Sequence, residues 1–407
     1  MSTNPFEVFR KLDDYLNWDR YNEQLPAIEL SENNRCRTRD SFAYLRNLFG
    51  EDFLRDAFAS GSSLLSLFIN AAPRARLELA TLAESLKGLE EAKNFKELVS
   101  QIGDHRADAA ISVLLTAARL ARLGFEVSLD PTVQITTPSG IVRDKVPDLR
   151  LFNPETSEVV FVEVSRLRKS TKQEKSRQAF QAIWMLVDSI RYMTPGALDD
   201  IANPKWMRVY VRILKVLEHD ELEMALLRIR ELAQDVLTSG EHRELLLENV
   251  IEMAISPSHD HSRAKEWAAA RNMKDFVESP PIPLNEIARV QGKIFEKMQQ
   301  LPRDKPAIVV ITTDENLLFF VYPFEEIIPG VVEKTMRFPH IFAVVLTHAS
   351  FSGVEEPLVA NIGDHIYTRH TTEALVTHQS LIVRNPACTN PVSSSTRNRF
   401  RDAFLRQ

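Results

Sequence analysis

Residues 146–165 read VPDLRLFNPETSEVVFVEVS, and the fold turns on how this stretch is understood. Val146 to Leu151 is a short apolar run carrying one acid, Asp148. Asn153-Pro154-Glu155-Thr156-Ser157 supplies turn chemistry. Val159 to Val164 is a nearly unbroken apolar, mostly β-branched run whose one polar residue is Glu163, and such a run suits a strand covered on both faces. The stretch therefore predicts a strand hairpin with one acid on each arm.

A carboxylate inside an apolar strand is expensive unless it is paired, hydrogen-bonded or bound to a metal. Two readings follow. Asp148 and Glu163 either lie side by side and share a hard divalent cation, which accepts one or two carboxylates and keeps several waters, or each sits at a strand end in water or pairs with Arg150 or Arg166. Spacing alone leaves both open.

Working outward, Asp104 to Gly124 reads as a helix, with Asp104 as its N-cap and Gly124 as its stop. Its buried stripe includes Ile111, Leu114, Leu115 and Ala118. Asp108 lies on that stripe, where it either caps the backbone or points into a site. Phe125 to Leu129 and Thr132 to Thr137 read as strands before the hairpin. A helix over Lys169 to Met193, with Phe180, Ile183, Trp184, Val187 and Ile190 on one face, and an alternating strand over Met207 to Leu214 follow it. Residues 1–100 read as helices with Phe and Leu stripes, and 216–407 as mixed α/β with strands at Val250 to Ile255, Ala307 to Thr313 and Ile341 to Thr347 and a helix at Leu284 to Leu301. The expected organisation is a helical N-terminal region (1–100), a core (101–215) and a C-terminal α/β extension (216–407).

Pro147-Asp148, a turn, and an apolar strand ending Glu163-Val164-Ser165 resemble the core motif of the PD-(D/E)XK nuclease superfamily, which includes restriction endonucleases and many DNA-repair and phage-defence nucleases. The resemblance covers roughly a quarter of the chain. It implies an α/β protein with a restriction-endonuclease-like αβββαβ core, the element order that periodicity gives for 101–215. It also implies that Asp148, Glu163 and the backbone carbonyl of Val164 hold Mg²⁺ (or Mn²⁺). Asp108 resembles the additional helix acid of such sites. The motif lysine is replaced by Ser165, which shares a strand face with Glu163 but carries no charge. If the following helix starts near Arg168, its sheet-facing side holds Lys169, Gln173, Ser176 and Arg177. Lys169 is then either the migrated lysine or a solvated charge, with Gln173 as a polar helper; Lys145 is a weaker substitute.

Arg166, Arg168, Lys169, Lys172, Lys175 and Arg177, against only Glu174, make a basic run right after the site strand. Such a run suits either a phosphate backbone, with salt-dependent binding, or an exposed helix start. The expected function is a metal-dependent nuclease hydrolysing phosphodiester bonds, DNA first among its substrates. The alternative is a catalytically inactive nuclease-like module that binds nucleic acid or a protein partner. A homodimer is left open.

Composition removes other classes. At 407 residues with 44% hydrophobic and 26% charged side chains, the chain has the make-up of a soluble globular protein, and a net charge of -6 argues against a wholly basic nucleic-acid coat. Two distant cysteines, Cys36 and Cys388, rule out a disulfide framework and a thiolate metal cluster. The N-terminus lacks an apolar signal core and no run approaches a membrane span, so the cytoplasm is the expected location. His259 and His261 flank Asp260 in a loop without a visible third ligand. No H-E-x-x-H, phosphate-loop, dinucleotide-binding or serine-hydrolase motif occurs.

Overall fold

The computed structural model describes residues 16–62, 64–103, 106–136, 142–167, 170–191, 206–280, 285–313, 318–319, 322–350, 356–371 and 377–405. The chain is mixed α/β and divides into two compact units. The first comprises 1–168 and 285–407; the second, 169–284, is inserted into it.

The first unit begins with helices α1 to α6 (Trp18–Gln24, Glu32–Phe49, Phe53–Ser60, Leu64–Ile69, Pro73–Lys87, Phe95–Ser100) and α7 (Ala107–Arg122). Strands β1 (Glu126–Leu129), β2 (Val133–Thr136), β3 (Val142–Lys145), β4 (Leu149–Asn153) and β5 (Glu158–Leu167) follow. The second unit contains α8 (Thr171–Arg191), β6 (Arg208–Ile213), α9 (His219–Ser239), β7 (Arg243–Leu247), β8 (Ile251–Ser256), α10 (Ser262–Ala270) and β9 (Val277–Glu278). The chain then returns through α11 (Glu286–Met298), β10 (Ala307–Thr313), α12 (Phe324–Thr335), β11 (Ile341–Ser350), β12 (Leu358–Ile362), β13 (His365–Thr371), β14 (Thr377–Arg384) and α13 (Ser394–Leu405).

An eight-stranded sheet in the order β1-β4-β5-β10-β11-β14-β13-β12 organises the first unit. β1, β4 and β5 form an antiparallel meander, and β10 lies parallel to β5. Alternation along β5 assigns its two faces. Val160, Val162 and Val164 pack with α7, α13 and the N-terminal helices in one core, whereas Phe161 and Leu167 pack with Val290, Ile294 and Met298 of α11 in the other. The expected separate domain at 1–100 is thus not observed: Trp18, Phe42, Leu86 and Leu120 share one core with Val162 and Phe404.

The expected core boundary at 215 is also corrected. β6 does not complete the large sheet; it joins the four-stranded sheet β7-β8-β6-β9 of the second unit, where α8 and α9 cover it. The reason is burial pattern. Arg208, Tyr210 and Arg212 are half-buried and alternate with buried Val209, Val211 and Ile213, so one face of β6 carries charge even though Tyr210 on it packs against Ala264 and Trp267 of α10. A strand beside β5 must be apolar on both, and β10, AIVVITT, is buried almost throughout. The C-terminal part therefore extends the sheet that holds the hairpin. Among the described residues no helix is long and apolar enough to cross a membrane.

Candidate functional site

The β4–β5 register pairs Leu149 with Val162 and ends there. One step further along the ladder sets Asp148 opposite Glu163, as the sequence pattern requires of a shared site. Two hydrogen bonds fix Asp148: its backbone carbonyl accepts from Asp130 N–H at 2.9 Å, and its Oδ2 accepts from Val164 N–H at 2.6 Å. Glu163 is fully buried, and its Oε1 has no hydrogen-bond partner.

The cation that meets these acids is Lys297. Its Nζ donates to Glu163 Oε2 at 2.8 Å and stands 3.7 Å from Asp148 Oδ2. Lys297 rides on α11, whose N-cap Asn285 accepts from Ala288 N–H at 3.2 Å and whose Val290, Ile294 and Met298 anchor it on the sheet. Burial drives the Glu163 acid from its ordinary 4.5 up to about 8, the nearby Asp148 carboxylate adds to the rise, and Lys297 opposes it. At neutral pH the acid pair consequently retains a proton. Burial works against the charge on Lys297, but Asp148 and Glu163 outweigh it and hold its pKa above the usual lysine value. Asp130, at the end of β1, completes the surroundings; burial and then Asp148 raise its pKa, while Lys297 lowers it.

The donors fit a hard divalent cation. Asp148 and the unpartnered Oε1 of Glu163 are oxygen donors suited to Mg²⁺ or Mn²⁺. Phe161 N–H bonds to Pro306 O on the β10 side, so the alternation of β5 turns the polar groups of Val164 toward Asp148, past the last β4–β5 pair. Among the described residues no group of three or more His, Cys, Asp or Glu is gathered to hold a metal. An ion here would rest on two carboxylates, the Val164 carbonyl and water.

Other expected site residues fall elsewhere. Asp108 pairs with Arg166 at 2.6 Å. Arg166 alternates with Glu163 and Ser165 along β5, so this pair lies on the opposite sheet face, and Asp108 does not join the acid pair. Ser165 is buried and shares the face of Glu163. Arg168 and Lys169, and the expected N-cap Asp104, lie outside the described residues. Gln173 closes a reciprocal cap at the start of α8: its Oε1 accepts from Ser170 N–H at 2.6 Å, and Ser170 Oγ accepts from Gln173 N–H at 3.1 Å. Within the second unit Arg177 pairs with Glu174 at 2.6 Å and Lys175 with Glu218, so part of the basic run is neutralised, while Lys172 is exposed. Arg399 donates to the carbonyls of Leu123 and Gly124 at 3.1 and 2.9 Å and so caps α7.

Lys297 was missed although a signal existed. It occupies the i+3 position after Ile294 and the i-4 position before Leu301, on the buried stripe of its helix, and a lysine there needs a buried partner. No protein-family model, curated protein or solved structure matches this chain.

Proposed function

We propose that this chain is a metal-dependent nuclease of restriction-endonuclease-like architecture, with DNA as the first substrate to test. The observation that carries the reading is the convergence of Asp148, Glu163 and Lys297, with Glu163 Oε1 left without a partner. The order α7–β1–β4–β5–α11–β10 supports it. With β2, β3 and residues 169–284 set aside as insertions, the element order matches the αβββαβ succession that the PD-(D/E)XK resemblance implies.

Mg²⁺, when bound by Asp148, Glu163 and the Val164 carbonyl, would polarise a phosphoryl oxygen and make a water more acidic. The remaining tasks belong to the chain. Val164 N–H orients the Asp148 carboxylate, and strand β5 fixes that of Glu163. Lys297 supplies the ammonium that Ser165 lacks, next to the acids, where negative charge builds on a reacting phosphate. The test is incubation of purified protein with plasmid, linear duplex, single-stranded DNA and RNA, with Mg²⁺, Mn²⁺ or chelator. Divalent-dependent cleavage of at least one substrate is expected; no cleavage of any would remove the proposal.

A second reading has its own support. Lys297 already stands against both acids, so the trio is partly compensated without an ion, as suits a nuclease-like module that binds without cutting. Metal titration by calorimetry separates the two when combined with the cleavage assay: ion binding without hydrolysis favours the module.

A further inference from the structure

In the second unit, three arginines lie against aromatic rings, and they differ in what their N–H groups meet. Arg271 Cζ is 4.0 Å from the centre of the Trp267 ring, and its Nε donates to Glu252 Oε2 at 2.8 Å. Arg191, at the end of α8, lies against two rings, its Cζ 4.7 Å from Trp206 and 4.3 Å from Phe276. Arg208 of β6 stands 5.3 Å from the same Phe276. Among the described residues neither Arg191 nor Arg208 makes a side-chain hydrogen bond, and Nε of each is buried without a partner. Asp188 Oδ1 is 4.0 Å from Arg191 Nη1, and no other carboxylate pairs with either arginine among the described residues.

The strands assemble this group. Val211 N–H bonds to Phe276 O at 2.8 Å at the start of β9, which sets Phe276 beside Tyr210 with rings stacked at 5.3 Å and 29°. Trp206 leads into β6, and its carbonyl accepts from His261 Nε2–H at 2.8 Å, so the histidine loop serves to pin the tryptophan. Because β9 is a two-residue edge strand, the stack Trp206–Arg191–Phe276–Arg208 stands at the rim of the sheet, with every member half-buried.

Rings satisfy the faces of a guanidinium and leave its N–H edge available. At Arg271 a carboxylate takes that edge. At Arg191 and Arg208 two charges share one rim without such a partner, and an anion would complete them. The rings narrow its class. An acidic peptide answers the charges alone, whereas an unpaired nucleic-acid strand brings phosphates for the guanidinium edges and bases that extend an alternating stack. In a duplex the bases are already stacked on one another. We propose that Arg191, Arg208 and Trp206, assembled on Phe276, bind single-stranded nucleic acid. The proposal stands without the nuclease reading, since the group lies wholly within 169–284 and binding calls for no metal.

The full-length protein, with chelator present, is titrated into fluorescein-labelled oligodeoxythymidylate, and anisotropy gives Kd over a series of salt concentrations. The single strand is expected to bind about tenfold or more tighter than a duplex of equal length. Arg191→Gln and Arg208→Gln should each weaken binding about tenfold and reduce the slope of log K against log salt by about 0.7, one phosphate contact apiece. A merely structural role would leave that slope unchanged. Trp206→Leu should weaken oligonucleotide binding about tenfold without altering the response to inorganic polyphosphate, which has no bases. Absence of binding by the wild type overturns the proposal. So does competition by polyphosphate or polyglutamate as strong as that of the oligonucleotide at matched charge, or unaltered affinity and slope in both arginine variants. If Arg191→Gln does not fold, Arg208→Gln, whose arginine lies against one ring only, decides alone.

Discussion

Two acid–base contacts flank the same strand on opposite faces, and they differ in kind. Asp108 and Arg166 meet at 2.6 Å with side chains 22% and 30% exposed, so water shares in solvating both. Glu163 and Lys297 meet at 2.8 Å with 0% and 16% exposed, a second acid stands 3.7 Å from the same ammonium, and one carboxylate oxygen has no partner at all. The second sets two acids that keep one proton between them against one lysine, and a divalent ion would take the place of that proton.

Substitutions that disturb the buried trio should have the largest effects. Asp148→Ala or Glu163→Gln is expected to lower divalent-dependent cleavage by about 10³-fold or more while circular dichroism remains native; full activity in either variant breaks the contrast between the faces. Lys297→Met should reduce cleavage by about 10²- to 10⁴-fold, the range for a positioned group acting on developing charge or a proton, with Lys297→Arg recovering part of it. A single-turnover assay at saturating Mg²⁺ separates this loss from weakened ion binding.

The pH dependence of stability sharpens the comparison next. Glu163 is raised in the folded protein, so the native state keeps a proton that the unfolded chain releases. Its stabilising contribution is full below about 4.5 and is lost as pH rises toward about 8. Stability should therefore fall across that window with a slope approaching about 1.4 kcal/mol per pH unit per proton. Glu163→Gln should remove that part of the slope, and saturating Mg²⁺ should flatten it while releasing close to one proton per ion at pH 7, measured by calorimetry in buffers of different ionisation enthalpy. The smallest effect belongs to Asp108→Asn. Stability should change by about 1 kcal/mol or less and cleavage should be unchanged; a loss as large as that of Glu163→Gln would put Asp108 back in the site.

Much of the site was legible because Val159 to Val164 states its own burial: a β-branched run that hides both faces makes an interrupting glutamate conspicuous. The hairpin and its acids followed from that run, and the preceding helix from its own stripe of Ile111, Leu114, Leu115 and Ala118. The helix read at 169–193 and the strand at 207–214 are both present, but they belong to the second unit rather than to the sheet of the hairpin, which sequence order alone does not reveal. Arg208 and Arg212 on alternate positions mark a strand with one charged face, whereas Ala307 to Thr313 carries no charge. Lys297 escaped for a related reason, since a helix that lies beyond 116 inserted residues has no local link to the motif. Gln173 was given to the site because helical phase alone cannot tell a side chain aimed at a neighbour from one folded back on its own first turn.

The sequence distance between Glu163 and Lys297, 134 residues, has a bearing on synthesis. A ribosome-bound chain that has emerged only as far as residue 284 contains both acids and neither the lysine nor β10, the strand that seals the open edge of β5. Joining contacts so remote in sequence is a late event in folding. The acid–lysine cluster is thus assembled only after the inserted unit has been made in full, and nascent fragments carry its carboxylates without the ammonium that goes with them.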